Sequence, residues 1–381
     1  MEPRYMRNSD TPLLTVPPGE PGRHLREALE DIVARLPPQD HYTGNNDVLK
    51  GLWAGPTGFA YLFLQASARY PDLKIAGHQA LTWARRYMDG ARGDLHLASR
   101  CGLSCEKLAY DAVQACITKD AAYVNAFLSS LPDILAPAGS WPDEILQGRA
   151  GTLYMLRMMR NWLPDTDTAV HLLLDRSVES VATAILADGP EWKWHGTRYL
   201  GAVHGDIGIV TQLVLTTPSL AARLECKLRD LLGSQLANGN WPSSVGMTDA
   251  SLVQFCHGAP GFLHSLASLR PYFPGLRQEI DASVDKARQC VWSEGLLRKE
   301  PSLCHGILGN ALTLRDPERQ HFLSMTTPGA ISEMRKKDGA VFAPADYGNR
   351  YATISGYALS AAWSWMVAGE PSPGVIFYND V

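Results

Sequence analysis

Two cysteine-histidine pairs are the residues of this chain whose types and spacing most directly suggest chemistry. Cys256 and Cys304 each begin a Cys-His-Gly sequence, and the glycine of each sequence opens the pattern Gly-x-x-Gly. With seven cysteines and 11 histidines in 381 residues, about 0.2 Cys-His pairs are expected by chance. Because both pairs stand in the same position before a glycine pair, a shared local structure explains them better than coincidence does.

The chemistry that these pairs predict is zinc binding. We expect each cysteine to lie just before a helix, where the positive end of the helix dipole and free backbone N–H groups lower the pKa of a thiol. Two thiolates and one imidazole give three protein ligands, which leave one position of a tetrahedral zinc ion open, as in catalytic sites. The spacing leaves open whether His257 or His305 is the third ligand. Two buried structural Cys-His pairs are the alternative.

A histidine and two acidic residues stand next to other copies of the glycine pattern. His204 directly precedes Gly205, so it shares the position of the two Cys-His pairs. This position predicts a general acid or base beside the metal, and a histidine satisfied within the core is the alternative. Asp143 and Glu144 come shortly before Gly148. Either one could be an acidic partner of the site, or a solvated or helix-capping carboxylate.

The elements that must position these residues follow from an internal repeat. The glycine pairs begin at Gly55, Gly148, Gly205, Gly258 and Gly306, so the steps between them are 93, 57, 53 and 48 residues. The first step is nearly double the others, and the segment Cys-Gly-Leu-Ser-Cys from Cys101 stands near its middle as a degenerate copy. A seventh copy is expected about 50 residues past Gly306, and Gly356 lies at that distance. Seven units result.

Each unit predicts two helices joined by a glycine loop. Apolar stretches such as FAYLFLQA and TLYMLRMM follow the glycine pairs, whereas one-sided segments such as HLREALEDIVARL lie between them. We therefore predict an all-α fold, an α/α toroid of seven two-helix repeats with inner and outer layers; an open solenoid has the same periodicity. Residues 1–40 would hold an N-terminal segment and the first outer helix. Residues 41–381 would form the toroid, in a single domain that includes that first helix.

Composition and charge exclude several classes of partner. The net charge of -4 gives no electrostatic attraction to nucleic acid or to an anionic membrane. The apolar runs are shorter than the roughly 20 residues that a transmembrane helix needs. The first residues lack the apolar core of an export signal, and seven cysteines, an odd number, do not predict a disulfide framework. We therefore expect a soluble, cytoplasmic protein with reduced cysteines.

Four segments resemble one known family, the lanthionine synthetase C-like proteins. They are QFCHGAPG at 254–261, SLCHGILGNA at 302–311, YLGAVHGDIGI at 199–209 and DEILQGRAGTLY at 143–154. The similarity extends over essentially the whole chain, and CHGAPG is similar to the eukaryotic branch in particular. The sequence departs from the family in the second and seventh repeats, where CGLSCEKLA and TISGYALSA lack a glycine pair.

The resemblance implies a toroid of seven inner and seven outer helices that holds zinc in its fifth and sixth loops. It assigns Cys256, Cys304 and His305 as the ligands, which leaves His257 as a residue of the fifth loop beside them. The active-site histidine of the family matches His204. A lysine of the family shortly before the sixth-loop cysteine matches Lys299, and either Asp143 or Glu144 matches its acidic residue.

The resemblance further implies thioether formation. Bacterial members add cysteine thiols of a precursor peptide to dehydroalanine or dehydrobutyrine, and eukaryotic members bind glutathione and add it to such residues in proteins. We therefore expect this chain to use Zn²⁺ to activate a thiol, with glutathione as the first candidate, for addition to a dehydroamino acid in a peptide or protein or to a small activated alkene. His204 would protonate the developing enolate. Lys299 and Arg149 could hold carboxylates of the thiol substrate.

Two other functions are compatible with the same residues. The degenerate second and seventh loops would fit an enzyme that modifies a small metabolite on this scaffold. A protein that binds zinc and glutathione for regulation, without turnover, would retain the same fold and the same ligands.

Overall fold

A computed structural model shows the protein as a ring built almost entirely of helices. The structure describes residues 4–8, 13–17, 19–42, 48–136, 141–249, 251–343, 349 and 351–381. Parts of the predicted N-terminal segment, residues 1–3, 9–12 and 18, lie outside these described residues.

Helices dominate the described chain, as the sequence predicted. In chain order the α-helices are α1 Glu20–Arg35, α2 Pro56–Arg69, α3 Ala80–Asp89, α4 Glu106–Thr118, α5 Ala121–Leu128, α6 Leu131–Ile134, α7 Arg149–Trp162, α8 Thr168–Asp188, α9 Asp206–Thr216, α10 Ala221–Gly233, α11 Ala259–Leu269, α12 Arg277–Glu294, α13 Ile307–Ala311, α14 Glu318–Ser324, α15 Pro328–Lys337 and α16 Tyr357–Val367. Short 3₁₀ helices lie at Pro218–Leu220, Arg270–Tyr272 and Pro274–Leu276. Strands β1 Lys74–Ile75 and β2 His78–Gln79 form a small antiparallel hairpin before α3.

Seven of these helices form the inner layer, and each begins just after one of the repeated loops. They are α2, α4, α7, α9, α11, α13 and α16. We number the segments that precede them loop one (48–55), loop two (101–105), loop three (141–148), loop four (199–205), loop five (251–258), loop six (300–306) and loop seven (351–356). Every residue of α2 from 56 to 66 and of α7 from 149 to 159 is buried. The all-round apolar character of the inner segments therefore reflects burial on every side.

The outer helices bury one face only. In α1 the buried residues are Leu25, Leu29 and Ile32, which recur at spacings of four and three. α1 packs against α16, so the first outer helix covers the last inner one. This contact supports the proposal that α1 belongs to the same single domain as the toroid. Among the described residues, no helix is both long enough and apolar enough to cross a membrane.

The seven loops meet on one rim and close into a ring of backbone contacts. At six of the seven junctions a backbone N–H donates to a carbonyl of a neighbouring loop at 2.8–3.1 Å, from Leu52 to Leu103, Leu103 to Ile145, Ile145 to Val203, Cys256 to Cys304, Cys304 to Ile354 and Thr353 to Trp53. Loops four and five meet at Gly201, where an added Cβ atom would lie 2.2 Å from the carbonyl oxygen of Cys256. Since loop seven bonds back to loop one, the repeats form a closed toroid.

The interior of the toroid is filled by the segment 374–381 of the same chain. Residues 375–378 are fully or almost fully buried. Phe377 and Tyr378 reach the undersides of the loops, where they border a cavity of only about 10 Å³. The ring of Tyr378 packs edge-on against Phe255, the residue before Cys256, with 5.0 Å between the ring centroids. The segment therefore supports loop five from inside the ring.

Polar side chains of the inner helices hold this segment in place. The carboxylate of Asp380 accepts hydrogen bonds from the hydroxyls of Tyr61 and Tyr154, both at 3.0 Å. The guanidinium of Arg157 donates to the carbonyls of Tyr378 and Val381 at 2.9 and 3.1 Å. It also donates to side-chain oxygens of α9 at 2.8 and 2.9 Å. A buried cation that is shared among several acceptors in this way ties two inner helices and the segment together.

We expect Arg157→Ala to lower the free energy of unfolding by about 3 kcal/mol, because several buried acceptors would lose a charged donor. Urea unfolding followed by circular dichroism measures this loss. Arg160→Ala is the matched control on the same helix. Arg160 pairs with Asp175 at the surface, where both side chains are nearly half exposed, so its loss should cost about 0.5 kcal/mol or less. Equal effects of the two substitutions would contradict the role given to Arg157.

Candidate metal centre

Loops five and six bring two thiols and one imidazole together. One ligand atom from each of Cys256, Cys304 and His305 lies within 4.8 Å of the others, and all three residues are buried. The backbone N–H of Cys256 donates to the carbonyl of Cys304 at 3.0 Å, which fixes the two loops against each other. Two sulfurs and one nitrogen form a donor set that suits zinc and leaves one tetrahedral position for another ligand. The residues present therefore fit a zinc ion.

Glycine is required where loop five enters its helix. Gly258 has a φ of 109°, in a region that residues with a Cβ atom rarely adopt. A Cβ atom there would also lie 2.0 Å from the carbonyl oxygen of Leu252. The side chain of Asn240 accepts a hydrogen bond from the N–H of Ala259 at 2.6 Å, which caps the first turn of α11. These contacts hold Cys256 three residues before the first residue of the helix.

A hydrogen bond between the two thiols moves their pKa values apart. A hydrogen bond from the Cys304 thiol lowers the pKa of Cys256, against the opposing effect of burial. The same hydrogen bond and burial raise the pKa of Cys304 well above its usual value. The amide of Gln254 adds a second donor to the Cys256 sulfur at 3.1 Å. Without metal, Cys256 is therefore the more acidic of the two thiols.

The histidine of loop six is neutral and ready to act as a ligand. Burial, with the nearby Lys299 ammonium, lowers the pKa of His305 to about 4. Burial, His204 and Lys299 lower the pKa of His257 to about 4 as well. Only His305 joins the cluster with both sulfurs. These three residues are the ones that the family resemblance predicts as ligands, and the assignment of His305 over His257 stays a prediction.

His204 lies next to loop five and is held by one of the two acidic candidates. Its Nδ1 lies 3.0 Å from the carboxylate of Glu144. Glu144 is buried and also accepts hydrogen bonds from the backbone N–H groups of Leu146 and Gln147. The rings of His204 and His257 are 6.2 Å apart, which brings the histidine near the metal cluster. A carboxylate fixed by backbone donors can orient an imidazole and set its tautomer.

Asp143 and Arg149 lie elsewhere and contact each other. The guanidinium Nε of Arg149 donates to Asp143 at 2.7 Å, and Arg149 also forms an ion pair with Asp188. Burial raises the pKa of Asp143 to about 7, although Arg149 opposes that shift. Arg149 is only 1% exposed. A buried guanidinium that is already paired with two carboxylates anchors loop three, and this position argues against contact with a substrate.

Lys299 lies beside the metal cluster. Its ammonium donates to the side-chain oxygen of Gln254 at 3.4 Å, and Gln254 in turn donates to Cys256. The ammonium contributes to the lowered pKa of Cys256 and of both neighbouring histidines, and it opposes the rise in the pKa of Cys304. It is therefore a cation close to the sulfurs, on an exposed side chain.

Two residues of the site were not predicted from the sequence. Gln254 touches the Cys256 sulfur, and the indole of Trp194 stacks on His204 with 4.0 Å between ring centroids. Gln254 stood in the segment that carries the family resemblance, so its position two residues before the cysteine was an available signal. Trp194 lies outside the glycine loops, and nothing in the repeat pattern indicates its position.

A cavity of about 1300 Å³ lies between α1, α15 and α16, and Glu300 and Pro301 of loop six also border it. Small residues of loop seven and the start of α16 line it, including Ser355, Gly356 and Ala358. The degenerate seventh repeat therefore borders this cavity. None of the predicted metal or catalytic residues lines it.

Comparisons with known proteins identify a family and two relatives. The family model described as lanthionine synthetase C-like protein matches residues 47–324. Glutathione S-transferase LANCL1 of Danio rerio is 28% identical over 209 residues, which are 49% of this chain and 49% of the relative. LanC-like protein GCL1 of Arabidopsis thaliana is 31% identical over 211 residues, 50% of this chain and 47% of the relative. The chain thus spans about half the length of these relatives, and both come from eukaryotes.

We expect Cys304→Ala to remove bound zinc and His257→Ala to retain it, because only the first substitution deletes a member of the cluster. Metal content per chain, measured by inductively coupled plasma mass spectrometry after dialysis, tests this. Cys290→Ala is the control, since Cys290 is an equally buried thiol on α12. Equal zinc loss in the Cys304 and His257 variants would mean that the ligands are assigned wrongly.

Zinc affinity should rise with pH between about 6 and 8, by up to tenfold per pH unit for each proton released. The reason is the raised pKa of Cys304, whose thiol proton must leave before the sulfur can bind metal. His305 adds no pH dependence in this range, because its pKa of about 4 leaves it neutral. Competition with a chelator of known affinity at pH 6, 7 and 8 measures the slope. An affinity that does not change with pH would contradict the protonated state of Cys304.

Proposed function

Because this chain belongs to the lanthionine synthetase C-like family, we propose that it binds one zinc ion on Cys256, Cys304 and His305 and forms thioethers. The substrates would be a thiol, with glutathione as the first candidate, and the activated alkene of a dehydroamino acid. The observation that carries this proposal is the buried set of two sulfurs and one imidazole nitrogen within 4.8 Å, beside a histidine that is paired with a carboxylate. Such a set would hold a metal with one open position, next to a histidine that can transfer a proton.

A zinc ion at this site would lower the pKa of a substrate thiol, so that the thiolate is present near neutral pH. The residues of the chain would then orient the thiol and exclude other ligands. Burial of Cys256, Cys304 and His305 supports this, because other ligands have little access to a metal held by buried side chains. Among relatives, the Danio rerio protein is named a glutathione S-transferase, which supports glutathione as the thiol.

The addition itself needs one proton. The thiolate sulfur forms a bond to the β carbon of the alkene, and the π electron pair moves toward the carbonyl to give an enolate. The enolate then takes a proton at its α carbon. We assign this proton transfer to His204, whose Nδ1 is held by Glu144, so that Nε2 is the nitrogen that exchanges a proton with the substrate. Glu144 is therefore proposed as the acidic site residue, and Asp143 as a partner of Arg149.

Lys299 is the proposed contact for a carboxylate of the thiol substrate. Its exposure and its proximity to the sulfurs support this role. Arg149 was a second candidate, but its buried ion pairs with Asp143 and Asp188 support a structural role in its place.

Two alternative functions are supported by different observations. A small-metabolite enzyme is supported by the cavity beside loop seven, whose sequence departs from the family pattern. A regulatory protein that binds zinc and glutathione without turnover would use the same cluster. The predicted cytoplasmic location and a single domain from the first outer helix to residue 381 remain part of the proposal.

We expect the zinc-loaded protein to form a glutathione adduct of a dehydroalanine-containing peptide faster than the uncatalysed reaction does. His204→Ala should lower the rate by about 100-fold or more, because the proton donor is lost. Mass spectrometry of the peptide over time measures both rates. His78→Ala is the control, since His78 is an exposed histidine on β2.

The outcomes separate the alternatives. Adducts with small enones but not with the peptide would favour the small-metabolite enzyme. Saturable glutathione binding by the zinc-loaded protein with no product on either class of alkene would contradict the catalytic proposal and favour the regulatory protein.

A further inference from the structure

One aromatic ring lies flat against the imidazole of His204. The planes of the Trp194 and His204 rings differ by 7°, with 4.0 Å between their centroids. Trp194 belongs to a tight turn in which its N–H and carbonyl pair with those of Thr197 at 2.9 and 3.0 Å. His195 and Gly196, between them, have φ angles of 49° and 78°. The turn therefore reverses the chain and carries the indole over loop four.

This turn is fixed to the start of α9, next to His204. Trp192 is buried, and its indole N–H donates to a backbone carbonyl of α8 at 2.9 Å. Arg198 donates to the carboxylate of Asp206 at 2.9 Å, and Lys227 lies 2.7 Å from the same oxygen. Asp206 follows His204 by two residues and is fully buried. The turn that carries Trp194 and the loop that carries His204 are therefore both held at the start of α9.

The stack restricts a movement that the carboxylate leaves free. Glu144 fixes Nδ1 of His204 at 3.0 Å, yet an imidazole held by one hydrogen bond can still tilt about that bond. An indole face parallel to the ring at 4.0 Å opposes such tilting, because it would break the stacked contact. An indole face also attracts a cation. The stack therefore favours both one ring plane and the protonated imidazole.

We propose that Trp194 is a positioning residue for His204: it holds the imidazole plane so that Nε2 faces the substrate and stabilises the imidazolium that donates the proton. The inference rests on the proposed function, in which His204 protonates the enolate. Trp194 would act through His204 and need not touch the substrate.

The other groups around His204 do not duplicate this effect. Glu144 of loop three also favours the imidazolium, but through Nδ1. On the side of loops four and five, the rings of Tyr199 and His257 lie 6.2 Å from His204, at angles of 54° and 35°. Removal of the indole should therefore release the plane of the His204 ring without a compensating contact.

Trp194→Leu and Trp194→Phe in the zinc-loaded protein test this directly. We expect Trp194→Leu to lower kcat for adduct formation by about tenfold, with zinc content and the KM for glutathione unchanged. Trp194→Phe keeps a flat aromatic face and should retain at least about half of kcat. In a His204→Ala background, Trp194→Leu should cause no further loss, because it acts through the missing imidazole.

NMR relaxation of the His204 ring tests the stack without any activity. In Trp194→Leu the ring should become more mobile, because the indole face that opposes its tilting is lost. Trp292→Leu is the matched control, because Trp292 contacts the ring of another histidine, His321, at 5.7 Å between ring centroids. It should leave the mobility of the His204 ring unchanged.

Two results would overturn the inference. They are an unchanged mobility of the His204 ring in Trp194→Leu, or a loss of kcat by Trp194→Leu that is equally large in the absence of His204. An inactive wild-type protein would refute the proposed function, while the relaxation measurement would still decide whether the stack holds the His204 ring.

Discussion

The close approach of backbones on the rim of the toroid is the constraint on which the site depends. Seven loops can close into a ring of backbone contacts only if no side chain separates them, and glycine, which has no Cβ atom, meets this condition. A Cβ atom on Gly201 would lie 2.2 Å from the carbonyl oxygen of Cys256 in loop five, and one on Gly151 would lie 2.6 Å from the Cα atom of Gly102 in loop two. The repeated glycines are therefore required by the ring itself. Residues that are far apart in sequence, such as Cys256 and Cys304, meet because this ring holds their loops side by side.

Closure of the ring also determines from which side a substrate can come. The segment 374–381 fills the interior, and Phe377 and Tyr378 lie directly beneath the loops. The described residues thus leave the loop rim as the accessible side of the metal cluster. The two thiols are buried together, and the hydrogen bond between them separates their pKa values. A divalent cation would offset the electrostatic cost of holding two thiolates next to each other.

Features that depend on the repeat could be predicted from the sequence, and features that depend on irregular segments could not. The glycine spacing predicted the inner helices and the rim, and the family resemblance named Cys256, Cys304 and His305. The choice between Asp143 and Glu144 needed coordinates, because adjacent residues in a loop point in different directions. The sequence analysis predicted Arg149 as a contact for a substrate carboxylate, yet the guanidinium is paired with the carboxylates of Asp143 and Asp188.

Trp194 and the segment 374–381 had no periodic signal. Trp194 reaches His204 only because two residues with positive φ reverse the chain next to it. The segment at 374–381 is short and irregular, and it becomes part of the core because a closed ring has an interior to fill. Both lie at positions that local pattern and composition do not specify.

The most direct test of the account is X-ray absorption spectroscopy at the zinc edge, with and without glutathione. The account predicts a first shell of two sulfurs, one imidazole nitrogen and one further light atom in the protein alone, and a shell of three sulfurs and one nitrogen when glutathione is added. A shell of four protein ligands that glutathione leaves unchanged would contradict it, because no position would then be open for a substrate thiol.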